Sequence, residues 1–159
     1  RRQDVTLGIG PCVDRAADLD FFPVTTDPIV ALAGPAYPLG PREWVDLDTL
    51  CAYPILLNSW SAELRAALER DLALRDLAFD VKFEVLHVHT LVAFAGAGLG
   101  VAILPRVAVP SSLPAGMQVS AVGNPIMTRT VGILTRRGHS LSPAGEALKE
   151  IVMHTFRDG

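Results

Sequence analysis

The sequence predicts an α/β fold, and three observations carry that expectation. Short apolar runs alternate with helical patterns from Pro54 to Pro105. Each helical pattern begins at polar residues, and the second ends in glycines. The apolar runs are too short to be anything but strands buried on both faces.

Taken in order, Val5–Ile9 reads as a buried strand ended by Gly10-Pro11, with "DRAADLD" as a polar connection. "FFPVTTD" and "PIVALAG" read as two strands parted by a turn at Asp27-Pro28. "GPAYPLGPREW" holds three prolines and two glycines and reads as an extended crossing between lobes. "DLDTLCAY" suits a short helix with an Asp cap, and "PILLN" a buried strand. In "SAELRAALERDLAL", Leu64, Leu68 and Leu72 recur every fourth residue, which predicts a helix capped by Ser59 or Ser61. "VKFEV" is a strand, "TLVAFAGAG" a short apolar helix and "GVAILP" a strand, so that strand and helix alternate as in a parallel unit. The pattern loosens through "RVAVPSSLPAG". "MQVSAV" and "RTVGILTRR" then give two more strands. "SLSPAGEALKEIVMHTF" predicts a closing helix with Ser142 as N-cap, Pro143 at its first position and Glu146 in its first turn.

The glycines of "FAGAGLGVAILPR" invite a phosphate-loop reading, which their direction opposes. A dinucleotide loop runs from strand to helix and lays phosphate on the helix N-terminus. Here the helix comes first, so Gly96, Gly98 and Gly100 fall at its C-terminus, where the dipole repels phosphate. The spacing is GxGxG, with no P-loop lysine after it. Gly98 is expected to take the left-handed conformation that ends a helix, and Gly100 to let the chain turn directly into a buried strand. The ligand end of such a unit is the other one, at "LNSWSAE" and "LHVHT".

Composition narrows the function classes. The 159 residues are 50% hydrophobic and 19% charged, as in a soluble globular chain with room for one domain or two small lobes. A net charge of −3 gives no general attraction to a phosphate backbone, so any DNA contact is expected to need another domain. Cys12 and Cys51 lie in no CxxC, which predicts free thiols in a reducing compartment. There is no GxSxG and no HExxH, and no enzyme activity or cofactor is expected.

"TLVAFAGAGLGVAILPRVAV", with "RRGHSLSPAGEALKEIV" near the end, "DVTLGIGP" near the start and "DPIVALAGPAYPLG" between, resembles the effector-binding domain of LysR-type transcriptional regulators over nearly the whole chain. The resemblance implies a periplasmic-binding-protein-like α/β fold of two Rossmann-like lobes with an effector cleft between them. Residues 1–35 and 117–159 would form an incomplete first lobe and residues 36–116 the second. It further implies an N-terminal helix-turn-helix domain that this sequence does not contain. DNA would be reached only through that domain, in a cytoplasmic regulator that associates as a dimer or tetramer.

By the same resemblance the effector contacts Gly10 and Pro11, the segment Asn58, Ser59, Trp60 and Ser61, and His89 with Thr90. Helix starts at the last two places would favour an anionic group such as a carboxylate. His87 and His89, two apart on an expected strand, could share a face. With no third ligand at suitable spacing, no metal site is expected. Glu63, Arg65, Glu69 and Arg70 read as a solvated helix face. The alternative of another class is a solute-binding protein of the same fold that feeds a transporter.

Overall fold

The computed structural model describes residues 6–12, 17–40, 43–59 and 62–156. The chain divides into two compact units, one formed by 1–27 with 129–159 and the other by 28–128.

The smaller unit contains β1 (Leu7–Pro11), the first half of β2 (Leu19–Ala33), most of β8 (Thr128–Arg136) and α4 (Pro143–Thr155). β1 pairs antiparallel with β8, with Gly10 opposite Gly132. β8 in turn lies beside β2. Arg137 donates through Nε to Asp20 Oδ1 at 2.8 Å and through Nη2 to the Leu19 carbonyl at 3.1 Å, tying the end of β8 to the start of β2. α4 begins as its sequence predicts: Ser142 accepts from the Gly145 N–H at 3.2 Å, Pro143 opens the helix and Glu146 lies in its first turn. None of its residues is buried, and Leu148, Ile151 and Phe156 are exposed.

The larger unit is a six-stranded sheet in the order β3 (Trp44–Val45), β7 (Gln118–Val122), second half of β2, β6 (Val101–Pro105), β4 (Pro54–Asn58), β5 (Asp80–Val85). β4 is parallel to both β5 and β6, β3 is parallel to β7, and β2 is antiparallel to its neighbours β6 and β7. The carboxyl ends of five strands therefore share one edge. Alternation along the strands feeds two cores. Ile29, Ala31, Ile55, Leu57, Val101 and Ile103 face one way, and Val30, Leu32, Leu56, Ala102 and Leu104 the other. Each apolar run is thus buried on both faces, which is why the sequence shows no alternation there. α1 (Leu47–Cys51) and α2 (Ala62–Ala73) cover the first face, α2 with Leu64, Leu68 and Leu72. α3 (Val88–Gly96) covers the second with Leu91, Val92 and Ala95.

Two expectations are corrected. "FFPVTTD" and "PIVALAG" are one strand, β2, with no turn at Asp27-Pro28. Proline has no N–H to give a ladder, and it stands where β2 leaves one unit for the other; paired positions in the larger sheet begin at Ile29, opposite Pro105. "GPAYPLGPREW" does not separate the units, which part at Asp27/Pro28 and Thr128/Arg129. The described part of that stretch packs within the larger unit. Leu39 is buried and donates its N–H to Gln118 Oε1 at 3.0 Å, and Tyr53 donates from its hydroxyl to the Pro38 carbonyl at 2.9 Å. β2 beyond Asp27 and all of β7, expected in the first lobe, belong with this larger sheet.

The expected Asp cap is Asp46, whose carboxylate accepts from the Thr49 N–H at 2.7 Å. The Ser61 cap lies outside the described residues. Burial predicts how the chain opens. Among the described residues, the buried apolar side chains of the smaller unit reduce to Ile133, whereas both faces of the larger sheet are covered. Amides of β4 and β6 are expected to exchange hydrogen slowest, and those of β1 and α4 at least tenfold faster, by local opening. Uniform protection in native-state exchange would contradict this.

Candidate functional site

The glycine stretch is the stop signal the sequence suggests. α3 ends at Gly96, Gly98 takes φ 72°, the Gly98 N–H donates to Ala95 O at 3.1 Å and the Leu99 N–H to Phe94 O at 3.0 Å. This pair of bonds is the Schellman arrangement, which satisfies carbonyls at a helix C-terminus. Gly100 enters β6 so close to β4 that a Cβ there would collide with the Pro54 carbonyl oxygen. These residues fix where α3 stops; its amino end lies at the other edge of the sheet.

At that edge the structure brings together two of the three predicted segments. β4 and β5 are in register to their last residues, Asn58 beside Val85. The Ser59 N–H donates to the Val85 carbonyl at 3.0 Å, and the Asn58 amide Nδ2 donates to the Leu86 carbonyl at 3.1 Å. Asn58 is half-buried and Ser59 exposed. Two residues on, α3 starts at Val88. Its first backbone bond runs from the Leu91 N–H to His87 O at 3.1 Å, and no side chain caps the turn. The amides of Val88, His89 and Thr90 are therefore the orphan donors of a helix N-terminus, which favour negative charge. His89 is exposed and Thr90 half-buried. Trp60 and Ser61 lie outside the described residues. Gly10 and Pro11, both half-buried, close β1 in the smaller unit.

His87 and His89 do not share a strand face. β5 ends at Val85, His87 is the residue before α3 and His89 is inside the helix. β5 ends where "VKFEV" ends in the sequence, and the chain enters α3 within three residues, so neither histidine is on a strand. Among the described residues no group of three or more His, Cys, Asp or Glu is arranged to hold a metal ion.

The charged face of α2 is solvated, as expected, but linked to β5. Arg65 donates from Nε to Glu69 Oε1 at 2.7 Å and from Nη1 to Glu84 Oε1. These bonds hold the guanidinium above its ordinary range. The Cys51 thiol is pushed up by burial and then by the Asp48 carboxylate, which keeps it protonated at neutral pH and a poor nucleophile.

One residue at this edge escapes the sequence reading. Arg106 follows β6 directly and opens a 3₁₀ turn, Arg106–Ala108. It borders a cavity of 290 Å³ whose other walls are Pro28, Val30, Val119, Ala121 and Ile126. An arginine after "ILP" carries no motif, and only the registers of β2, β6 and β7 bring it beside those residues.

The model of the LysR substrate-binding domain matches residues 1–157. The chain belongs to the LysR substrate-binding domain family. Among curated relatives, the uncharacterized HTH-type transcriptional regulator YbhD of Escherichia coli K12 is 28% identical over 142 residues, which are 89% of this chain and 45% of YbhD. The chain spans about half the length of the curated relatives it matches. Two solved structures share the fold. The effector-binding domain of QuiR in complex with shikimate superposes with a TM-score of 0.82 at 22% identity, over 96% of this chain and 72% of QuiR's. The regulatory domain of Synechocystis PCC6803 CcmR in complex with 2-PG superposes with a TM-score of 0.84 at 15% identity, over 98% and 75%. This LysR substrate-binding domain thus has the α/β architecture of regulatory domains, and its curated relatives are regulators, not transport proteins. Among its described residues no helix is long and apolar enough to cross a membrane.

Proposed function

We propose that this chain is the effector-sensing part of a LysR-type transcriptional regulator. The observation that carries the reading is the meeting of the carboxyl ends of β4 and β5 with the uncapped amino end of α3, on a chain of this family. Asn58, Ser59, Thr90 and the first-turn amides of α3 supply polar contacts to a small molecule, with His89 at the rim and Trp60 and Ser61 as further contacts. The effector does no chemistry. It favours whichever conformation binds it more tightly, and only that difference in affinity can be passed on. The whole protein delivers the signal through a DNA-binding domain, works in the cytoplasm and self-associates as dimers or tetramers.

The test is a thermal-shift screen of this chain against a library of small metabolites. At least one compound is expected to raise Tm by several degrees at concentrations well above its Kd. Thr90→Glu sets a carboxylate against the first turn of α3 and Asn58→Leu removes the amide. Each is expected to weaken that compound at least tenfold without lowering the Tm of the free protein by more than a few degrees. Compounds that stabilise wild type and both variants equally would place the effector elsewhere, and a screen with no stabilising compound would count against the sensing role.

A further inference from the structure

A cavity of 210 Å³ lies between α2 and the edge strand β5, on the face of the sheet opposite α3. Leu57 of β4 and Leu68 and Leu72 of α2 line it, and all three are buried core residues. Leu77 and Phe79, from the turn after α2, and Val81 of β5 are its half-buried walls. Its rim is the next row of the helix, Arg65, Glu69 and Ala73, four residues apart and exposed.

The strand beside this space is irregular. Ile55 pairs with Val81 but Leu56 with Phe83, so β5 carries one extra residue, Lys82, and is bulged there. Side chains alternate between faces, and Ile55 and Leu57 face the α2 side while Leu56 faces α3. Phe83, opposite Leu56, accordingly sets its ring edge-on against Phe94 of α3, with centroids 5.3 Å apart. Glu84, opposite Leu57, accepts from Arg65 of α2. Without the extra residue Phe83 would stand opposite Leu57, on the side of the cavity. The bulge thus takes an aromatic side chain away from the α2 face and puts a carboxylate in its place.

The lining decides what fits. Arg65 donates to Glu69 and to Glu84, so the charged groups at the rim already pair with one another. Every other lining residue is leucine, alanine, phenylalanine or valine. A charged group inside would lose its water and gain no partner. An apolar cavity of about 150 Å³ stays dry and takes up benzene, and this one is larger.

We propose that this cavity is a second ligand site, for a small uncharged molecule that is mainly apolar: an aromatic ring of benzene size or slightly larger, held under α2 where β5 withholds Phe83. None of Asn58, Ser59, His89 and Thr90 lines it. The site therefore does not depend on the effector reading, and either can fail without the other.

The experiment is a ¹H–¹³C methyl NMR titration of this chain with benzene and, as a charged control built on the same ring, benzoate. Benzene is expected to shift the methyls of Leu57, Leu68, Leu72 and Val81 with a Kd of about 1 mM or tighter. Benzoate should leave them in place at ten times that concentration. Val81→Phe sets a ring into the cavity from β5, and Ala73→Leu narrows it from the helix. Each is expected to weaken benzene at least tenfold while the methyls of Val101 and Ile103 keep their positions. No shift at the four lining residues in benzene-saturated buffer, equal shifts with benzoate, or undiminished binding in both variants would overturn the proposal. So would lining methyls that move with protein concentration and ignore benzene, because a second copy of the chain would then be what closes the cavity.

Discussion

Replacing Gly100 by alanine is expected to cost the larger unit about 3 kcal/mol, enough to leave much of the protein unfolded at 37 °C. The added methyl has nowhere to go. Its Cβ would overlap the Pro54 carbonyl oxygen and stand 3.1 Å from Leu56 Cγ. The first obstacle is backbone at the start of β4, and β4 is the central parallel strand, ladder-bonded to β5 and β6. Moving it aside would lengthen hydrogen bonds in both ladders and loosen Ile55, Leu56 and Leu57, all of them buried. Gly98→Ala is the control. There the strain is that of a left-handed residue at φ 72°, with only the Ala36 methyl close by, and a loss of about 1 kcal/mol is expected. Urea denaturation of both variants measures the difference. A Gly100→Ala protein within 1 kcal/mol of wild type (the size of the left-handed penalty alone) would mean that β4 can move away freely.

These glycines show how much of the fold was legible in the sequence. The position and direction of "FAGAGLG" told that a helix ended there and that ligand belonged at the opposite edge, because helix stops have a local chemistry that glycine alone supplies. Leu64, Leu68 and Leu72 named the buried face of α2 for the same reason: a period of about four residues is written in the chain itself. What depends on pairing between distant segments was not legible. Asp27-Pro28 looked like a turn, since proline breaks a ladder, but nothing local says that the ladder changes partners at that residue. "GPAYPLGPREW" looked like a crossing between lobes, since composition marks an irregular path without showing that Leu39 and Tyr53 anchor it. The candidate site divides in the same way. Asn58, Ser59, His89 and Thr90 follow from the rule that ligands meet strand carboxyl ends and helix amino ends. Arg106 follows from no local rule; the residues beside it come from two strands, β2 and β7, and from the turn at Ile126.

Removing Arg129 is expected to destabilise the smaller unit by about 2–3 kcal/mol, and removing its partner together with it by less. Asp27 has 8% of its side chain exposed and Arg129 28%; Nε and Nη2 of Arg129 both donate to Asp27 Oδ2, at 3.0 and 2.9 Å. Arg129→Met keeps the aliphatic stem but takes away two charge-assisted donors from a buried carboxylate. The cost is that of taking two charge-assisted donors from a buried carboxylate, larger than the net worth of the pair, and Arg129's partial exposure to water keeps it below that of a fully buried ion. Asp27→Leu with Arg129→Met removes the buried charge as well. The double variant should therefore be more stable than Arg129→Met alone, which is the signature of a weakened buried charge and not of simple contact loss. The pair also occupies both crossing points of the chain, the last residue before the larger unit and the first after it. Its loss should thus speed hydrogen exchange in β8 and the first half of β2 before it affects β4 and β6. Equal losses in the single and double variants, or faster exchange spread evenly through both units, would assign the pair no more than surface worth.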